Sequence, residues 1–318
     1  MQEKIPVNVC GDYWLDRDEL ENQLYQHNND KRVVLDMRSE GASLQVLGIL
    51  DVVNNWCRNT GRDPETVLID CWPNTVETIP FSRAFRPRIS HFFWLSDRYR
   101  PDQIIEPTHQ YQFGYFMGRQ TLPRRRIMWD MYHSHKEQTL MSVMKGSIGL
   151  SPSIDSDSDW LPDGPEQFDQ WFCNPPVGSI DGNTIQDQYC DGKNTNLDLL
   201  GVYNQFDIEI VAESYTQGSA FFPTEKTIRP LVAGRPFLLY GPVDYMKNLR
   251  ELGFQTWDDI WSEAYDHYQG YDRWRYIKSV VDVISQQDPQ ELWQACREIC
   301  EHNHNLVKDL ANRYRPGQ

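Results

Sequence analysis

Hydrophobic runs long enough to cross a bilayer are missing from this 318-residue chain, whereas a spanning helix needs about 20 apolar residues. No basic start followed by an apolar segment opens the chain, so a secretory leader is not expected. The seven cysteines are an odd number, and none falls in CxxC spacing. Reduced thiols in a cytoplasmic protein are therefore expected rather than a disulfide or zinc framework. Basic residues are few beside acidic ones, 31 against 46, for a formal charge of -15. Such a surface repels phosphate backbones and anionic membranes, which argues against non-specific nucleic-acid binding. The glycines never form GxGxxG, and no histidines stand in HxxxH or HExxH spacing, so neither a dinucleotide cofactor nor a metal centre is indicated. The HSH and HNH triplets at 133–135 and 302–304, and the DSDSD run at 155–159, read as solvated side chains.

Apolar residues are plentiful, at 39%, and aromatics reach 13%, enough for a substantial core. The length suggests two domains. Short apolar runs at Val7–Cys10, Lys31–Asp36, Val67–Asp70 and His91–Leu95 read as strands. Segments 12–25 and 44–56 between them have helical periodicity. This strand and helix alternation predicts an α/β layer with a parallel sheet. Phe113–Met117 is the next strand and Pro123–His135 the next helix. Residues 147–200 are rich in Ser, Asp, Gly, Pro and Asn and read as a loop-rich insertion, a lid or acceptor loop. From Asp258 to Tyr314 the chain reads as predominantly helical, with Pro289–Asn312 the longest piece.

The most informative stretch is IEIVAESYTQGSAFFPTEKTIRPLVAGRPFLLY, residues 208–240. A buried strand ends just before Glu213, a polar loop follows, a helix starts at Pro-Thr-Glu-Lys, and Gly-Arg-Pro stops it before a second strand. Strand, helix and strand at this spacing make a βαβ unit. Ligands in such sheets bind at the carboxyl ends of the strands, beside the helix N-termini. Glu213, Ser214, Thr224, Glu225 and Lys226 fall there. Lys226 offers a point charge for phosphate, the helix start offers N–H groups, and Glu213 suits ribose hydroxyls. Each alone reads equally as an ordinary cap or surface charge; the combination is the specific signal.

GRQTLPRRR at 118–126 places guanidiniums at a strand-to-helix turn. Arg119, or one or two of Arg124 to Arg126, is expected to clamp a diphosphate. All three consecutive arginines cannot face one site, because helical neighbours lie about 100° apart. Asp36, at the end of a strand, and Glu40, in the loop after it, are candidate general bases for an acceptor hydroxyl, with Asp70 as the alternative.

VAESYTQGSAFFPTEK together with FGYFMGRQTLPRRR resembles GT-B-fold glycosyltransferases, in particular the fucosyltransferase-like group. That group carries (F/V)-x-x-E-(N/S)-x, a variable gap and TEK, and an Arg-bearing helix start after an earlier strand. The segment YMKNLRELGFQTWDDIWSEAYD is similar to glycosyltransferase-like proteins of bacteriophages. The resemblance spans about residues 111–280. Here Ser214 stands after the Glu, and the gap before TEK is longer and carries Phe221, Phe222 and Pro223.

The resemblance implies two Rossmann-like domains facing a cleft, with an acceptor-side domain over 1–110, a nucleotide-sugar domain over 111–285 and a helical segment over 286–318. It implies Glu213 at the ribose, and Glu225 and Lys226 at the donor sugar and phosphate. The expected activity is metal-independent, inverting transfer from a nucleotide-diphosphate sugar, with no further cofactor. A hydroxyl acceptor is expected, on a modified nucleobase of phage DNA, a glycan or a protein. The alternatives are a non-enzymatic nucleotide- or glycan-binding protein of the same fold, and a different two-domain nucleotide enzyme.

Overall fold

The computed structural model describes residues 3–6, 9–10, 14–15, 17–26, 33–37, 47–71, 101–118, 120–143, 158–173, 176–177 and 197–313. Its N-terminal part contains β1 (Glu3–Pro6), β2 (Val9–Cys10), β3 (Trp14–Leu15), α1 (Arg17–Gln26), β4 (Val33–Met37), α2 (Ile49–Thr60) and β5 (Val67–Cys71). The strands β1, β4 and β5 form a parallel sheet in that order. Its register puts Asp36 beside Pro6 on one side and Asp70 on the other. Apolar faces of α1 and α2 bury Leu20, Leu24, Val52, Val53 and Trp56 against Val33, Leu35 and Val67.

Two boundaries differ from the sequence expectation. The first helix begins at Arg17, because Trp14–Leu15 pairs antiparallel with Val9–Cys10. The second begins at Ile49 because Gly48 turns into the left-handed region, with φ 70°, and it runs on to Gly61, which has φ 66°. The strand expected at His91–Leu95, Glu40, Arg119 and most of residues 147–200 lie outside the described residues.

The C-terminal part continues with β6 (Tyr111–Met117), α3 (Leu122–His135), β7 (Thr139–Val143), α4 (Pro165–Cys173), β8 (Phe206–Ala212), α5 (Glu225–Ala233), β9 (Phe237–Tyr240), α6 (Tyr245–Glu251), α7 (Gly270–Ile284) and α8 (Pro289–Arg313). Four parallel strands run in the order β7-β6-β8-β9. Every residue of β8 and β9 is buried, as expected of a parallel sheet covered on both faces. At Gly114, in β6, a Cβ would come within 2.8 Å of the Phe206 ring on β8, so the neighbouring strand requires glycine there. Helix α8 packs on α5, and His304 Nδ1 donates to the Val232 carbonyl at 2.7 Å. This is a mixed α/β architecture.

β7 and α4 were not expected from the sequence. The five-residue TLMSV run is short, and its strand character comes from pairing with β6. From Asp258 to Arg313 the chain is predominantly helical, as expected, although its first twelve residues hold turns and only a short 3-10 helix, Ala264–His267. Carboxylates there take backbone donors that would otherwise be free: Glu263 accepts from Trp257 N at 2.9 Å, and Asp266 from Met246 N and Lys247 N at 3.0 and 3.2 Å. Asp266 thereby caps α6. No helix among the described residues is long and apolar enough to cross a membrane.

Candidate functional site

The β8 run FDIEIVA carries the chain to the carboxyl end of the sheet, where Glu213 stands 1% exposed. Five protein donors surround its carboxylate. Oε1 accepts from Thr224 N at 3.0 Å, Thr227 Oγ1 at 2.5 Å and Tyr245 Oη at 2.9 Å. Oε2 accepts from Ser214 N at 3.0 Å and Thr224 Oγ1 at 2.6 Å. Burial, and after it the Glu213 charge, pushes the Tyr245 phenol well above its ordinary value, so it stays a donor. A carboxylate at a helix N-terminus is also favoured by the helix dipole. The anion at the start of α5 is thus the protein's own. Its two oxygens hold about four lone-pair sites, all engaged by the fold.

Glu213 therefore organises the site from behind. It fixes Ser214 and Thr224 at the two ends of the intervening loop, and Thr224 is the N-cap of α5. Lys226 then reaches across the loop mouth. Its ammonium donates to Ser214 Oγ at 2.9 Å and to Glu225 Oε1 at 2.6 Å. The Lys226 and Glu225 side chains are 15% and 14% exposed, which places them at the accessible edge of the group. Burial pushes the Glu225 carboxyl up, but the Lys226 charge and hydrogen bond, its own backbone and Arg229 together bring it below the ordinary value. The result is a partly desolvated ammonium–carboxylate pair beside a hydroxyl. It can offer a charge to a phosphate and hydrogen bonds to a polyol in one place.

The arginines of α3 diverge, as the helical spacing requires. Arg124 is buried, and its Nη2 donates to the Glu213 carbonyl at 2.6 Å, which ties α3 to the same strand end. Arg125 pairs with Asp169 at 2.6 Å and lies over the Phe168 and Phe172 rings. Arg126 donates to Asp130 at 2.9 and 3.0 Å, to the Trp160 carbonyl at 3.2 Å and to Tyr271 Oη at 2.7 Å. Five of the expected donor-side residues, Glu213, Ser214, Thr224, Glu225 and Lys226, thus meet at one place. Arg124 supports that place from below, and Arg126 is committed to α7. Asp36 is the next-to-last residue of β4 in the N-terminal sheet.

Sequence reasoning missed Thr227 and Tyr245, which complete the Glu213 donor set. It also missed the charged cluster beneath α5. There Arg229, 2% exposed, is bonded to Glu209 and lies 2.6 Å from Tyr203 Oη, which also donates to Glu209. Two acids alternating with isoleucines in a buried strand, and one arginine amid the apolar face of TIRPLVA, were the available signal. Among the described residues no group of three His, Cys, Asp or Glu side chains is placed to hold a metal ion. No known family model matches the chain, and no curated protein matches it.

Proposed function

We propose that the protein is a glycosyltransferase of the GT-B type that takes a nucleotide-diphosphate sugar as donor and acts with inversion and without a metal. The observation that carries this reading is the gathering of Ser214, Glu225 and Lys226 at the carboxyl end of a parallel sheet. Lys226 would neutralise the diphosphate leaving group, where charge develops in the transition state. Glu225 would receive sugar hydroxyls. Glu213 and Thr224 enter as the groups that hold this pair, since their own hydrogen bonds are turned inward. Arg119 is the proposed second cation for the diphosphate, and Asp36 or Glu40 the base that takes the acceptor proton. The acceptor is a hydroxyl of a modified nucleobase, a glycan or a protein. Residues 1–110 form the acceptor side in this reading.

A second reading, a nucleotide or glycan binder without turnover, is favoured by one specific observation: Arg124 and Arg126 already have protein partners. One experiment separates the two. Nucleotide-diphosphate sugars are screened for thermal stabilisation, because a ligand at about 100 times its Kd stabilises the folded state by about 2.7 kcal/mol. Hits are then assayed for release of the nucleoside diphosphate. Lys226→Ala is expected to weaken binding at least about tenfold, the loss of one charge-assisted contact, with the unfolding midpoint of the free protein little changed. Stabilisation with no turnover on any acceptor supports the binder, and unaltered affinity in the variant removes Lys226 from the site.

A further inference from the structure

Neighbouring aromatics in the loop between β8 and α5 are buried in different cores. Phe221 belongs to the cluster around the C-terminal sheet and meets the Tyr245 ring edge-on at 4.9 Å. Phe222, the next residue, belongs to the N-terminal cluster, as does Tyr215. These two side chains are 6% and 5% exposed and share that core with Leu20, Leu24, Leu35 and Trp56. The same loop is fixed at both ends by the Glu213 carboxylate, through Ser214 N and Thr224. The hydroxyl that Lys226 touches therefore sits next to one residue buried in the N-terminal core. The N-cap of α5 follows closely after the other.

We propose that this loop is a clasp that couples the two parts of the molecule, with Tyr215 and Phe222 as positioning residues for the Ser214–Lys226 pair. Burial of a large aromatic in a close-packed core leaves it little freedom. While both rings stay seated, the loop moves with the N-terminal core. When that core loosens, the loop keeps only its Glu213 anchors, and the order of Ser214 falls with it. Local opening of one region is then felt in the other through a shared segment. The coupling itself is independent of any ligand. Its effect on nucleotide affinity rests on the donor-site reading above and deepens it, by making that site responsive to the state of the N-terminal core.

Hydrogen exchange on the full chain tests the clasp, with Phe222→Leu and Tyr215→Leu compared against Phe221→Leu. Each change to Leu is a modest core truncation. Phe222→Leu and Tyr215→Leu are each expected to speed exchange about tenfold both in α2 and in residues 214–226, leaving α7 and α8 unchanged. Phe221→Leu is expected to act on α6 and not on α2. If either N-terminal plug variant speeds α2 alone, or leaves α2 as in the wild type, the clasp is overturned. Titration of the same proteins with guanosine and uridine diphosphates adds the second readout, an expected fall of about fivefold in affinity for the plug variants. Wild-type protein that binds neither nucleotide yet shows the coupled exchange would leave the clasp standing and sink the nucleotide reading.

Discussion

The two ends of β8 solve one problem in opposite ways. Asp207 at the amino end and Glu213 just past the carboxyl end are each only 1% exposed. Glu213 meets five N–H and O–H donors. Asp207 meets His109 Nδ1 at 2.6 Å through one oxygen, while its Oδ2 is buried with no hydrogen-bond partner among the described residues. Burial pushes the Asp207 carboxyl up to about 6, against the opposing pull of His109 and Arg235. Arg235 is itself incompletely bonded. Its Nη2 reaches the Ile105 and Tyr203 carbonyls, its Nε and Nη1 have no hydrogen-bond partner among the described residues, and its guanidinium lies 4.8 Å from the Trp293 ring centre. Between the two ends, Glu209 is matched by Arg229 and Tyr203. Burial still pushes the Glu209 carboxyl up, only partly offset by the Arg229 charge. The comparison shows that a buried carboxylate is settled by the number and aim of its donors more than by a nearby opposite charge. The well-settled end is the one that carries the candidate site.

The largest effect is expected from breaking the middle of the strand. Arg229→Met leaves Glu209 buried without its cation, at a cost of about 3–5 kcal/mol. Adding Glu209→Leu should recover most of it, because a hydrophobic replacement of a whole buried pair is often neutral or better. Urea denaturation of the single and double variants measures both. A single variant as stable as the wild type would show that the pair is not desolvated.

Glu213→Gln sharpens the comparison from the other end. The amide keeps the shape but turns an NH2 toward at least two of the five donors. The expected loss is about 2–3 kcal/mol, read from the same denaturation midpoint. A change below about 0.5 kcal/mol would mean that surface-like behaviour extends to this site.

Asp207 gives a pH signature. Its folded value of about 6 lies above the ordinary carboxylate value of about 3.9. The folded state therefore holds the proton more tightly than the unfolded chain. Its contribution makes stability fall as pH rises from about 4 to about 6, on the order of 3 kcal/mol in all, and stay level above that window. Asp207→Asn should flatten this part of the curve, so the variant gains on the wild type as pH rises through it. Parallel curves for the two proteins across that range would overturn the assignment.

Much of this layout was legible. Val67–Asp70, Phe113–Met117, Ile208–Val211 and Phe237–Tyr240 are short apolar runs, and each is a strand within a residue or two at either end. Gly61 and Gly234 stop their helices in the left-handed region, where glycine is favoured. The grouping of Glu213 with Thr224, Glu225 and Lys226 was also legible, since a βαβ unit must bring a strand end and a helix start together. The direction of each side chain was not. Whether Glu213 faces a ligand or the fold depends on Tyr245 and Thr227, which belong to other turns of the chain. Nor could the pattern show that Glu263 and Asp266 would take backbone donors from Trp257 and Met246 ahead of α7.

The sequence by itself determined most of the strands and helices, β7 and α4 excepted, and that the chemically active side chains of residues 213–226 share one edge of a sheet. Hydrophobic periodicity and chain connectivity act locally, and both can be read along the chain. Only the tertiary structure decided that Glu213 is filled from within, that Arg124 and Arg126 are already engaged, and that Phe221 and Phe222 part toward different cores. Those outcomes depend on donors and cavities contributed by distant residues, and the aim of a buried side chain follows from what surrounds it.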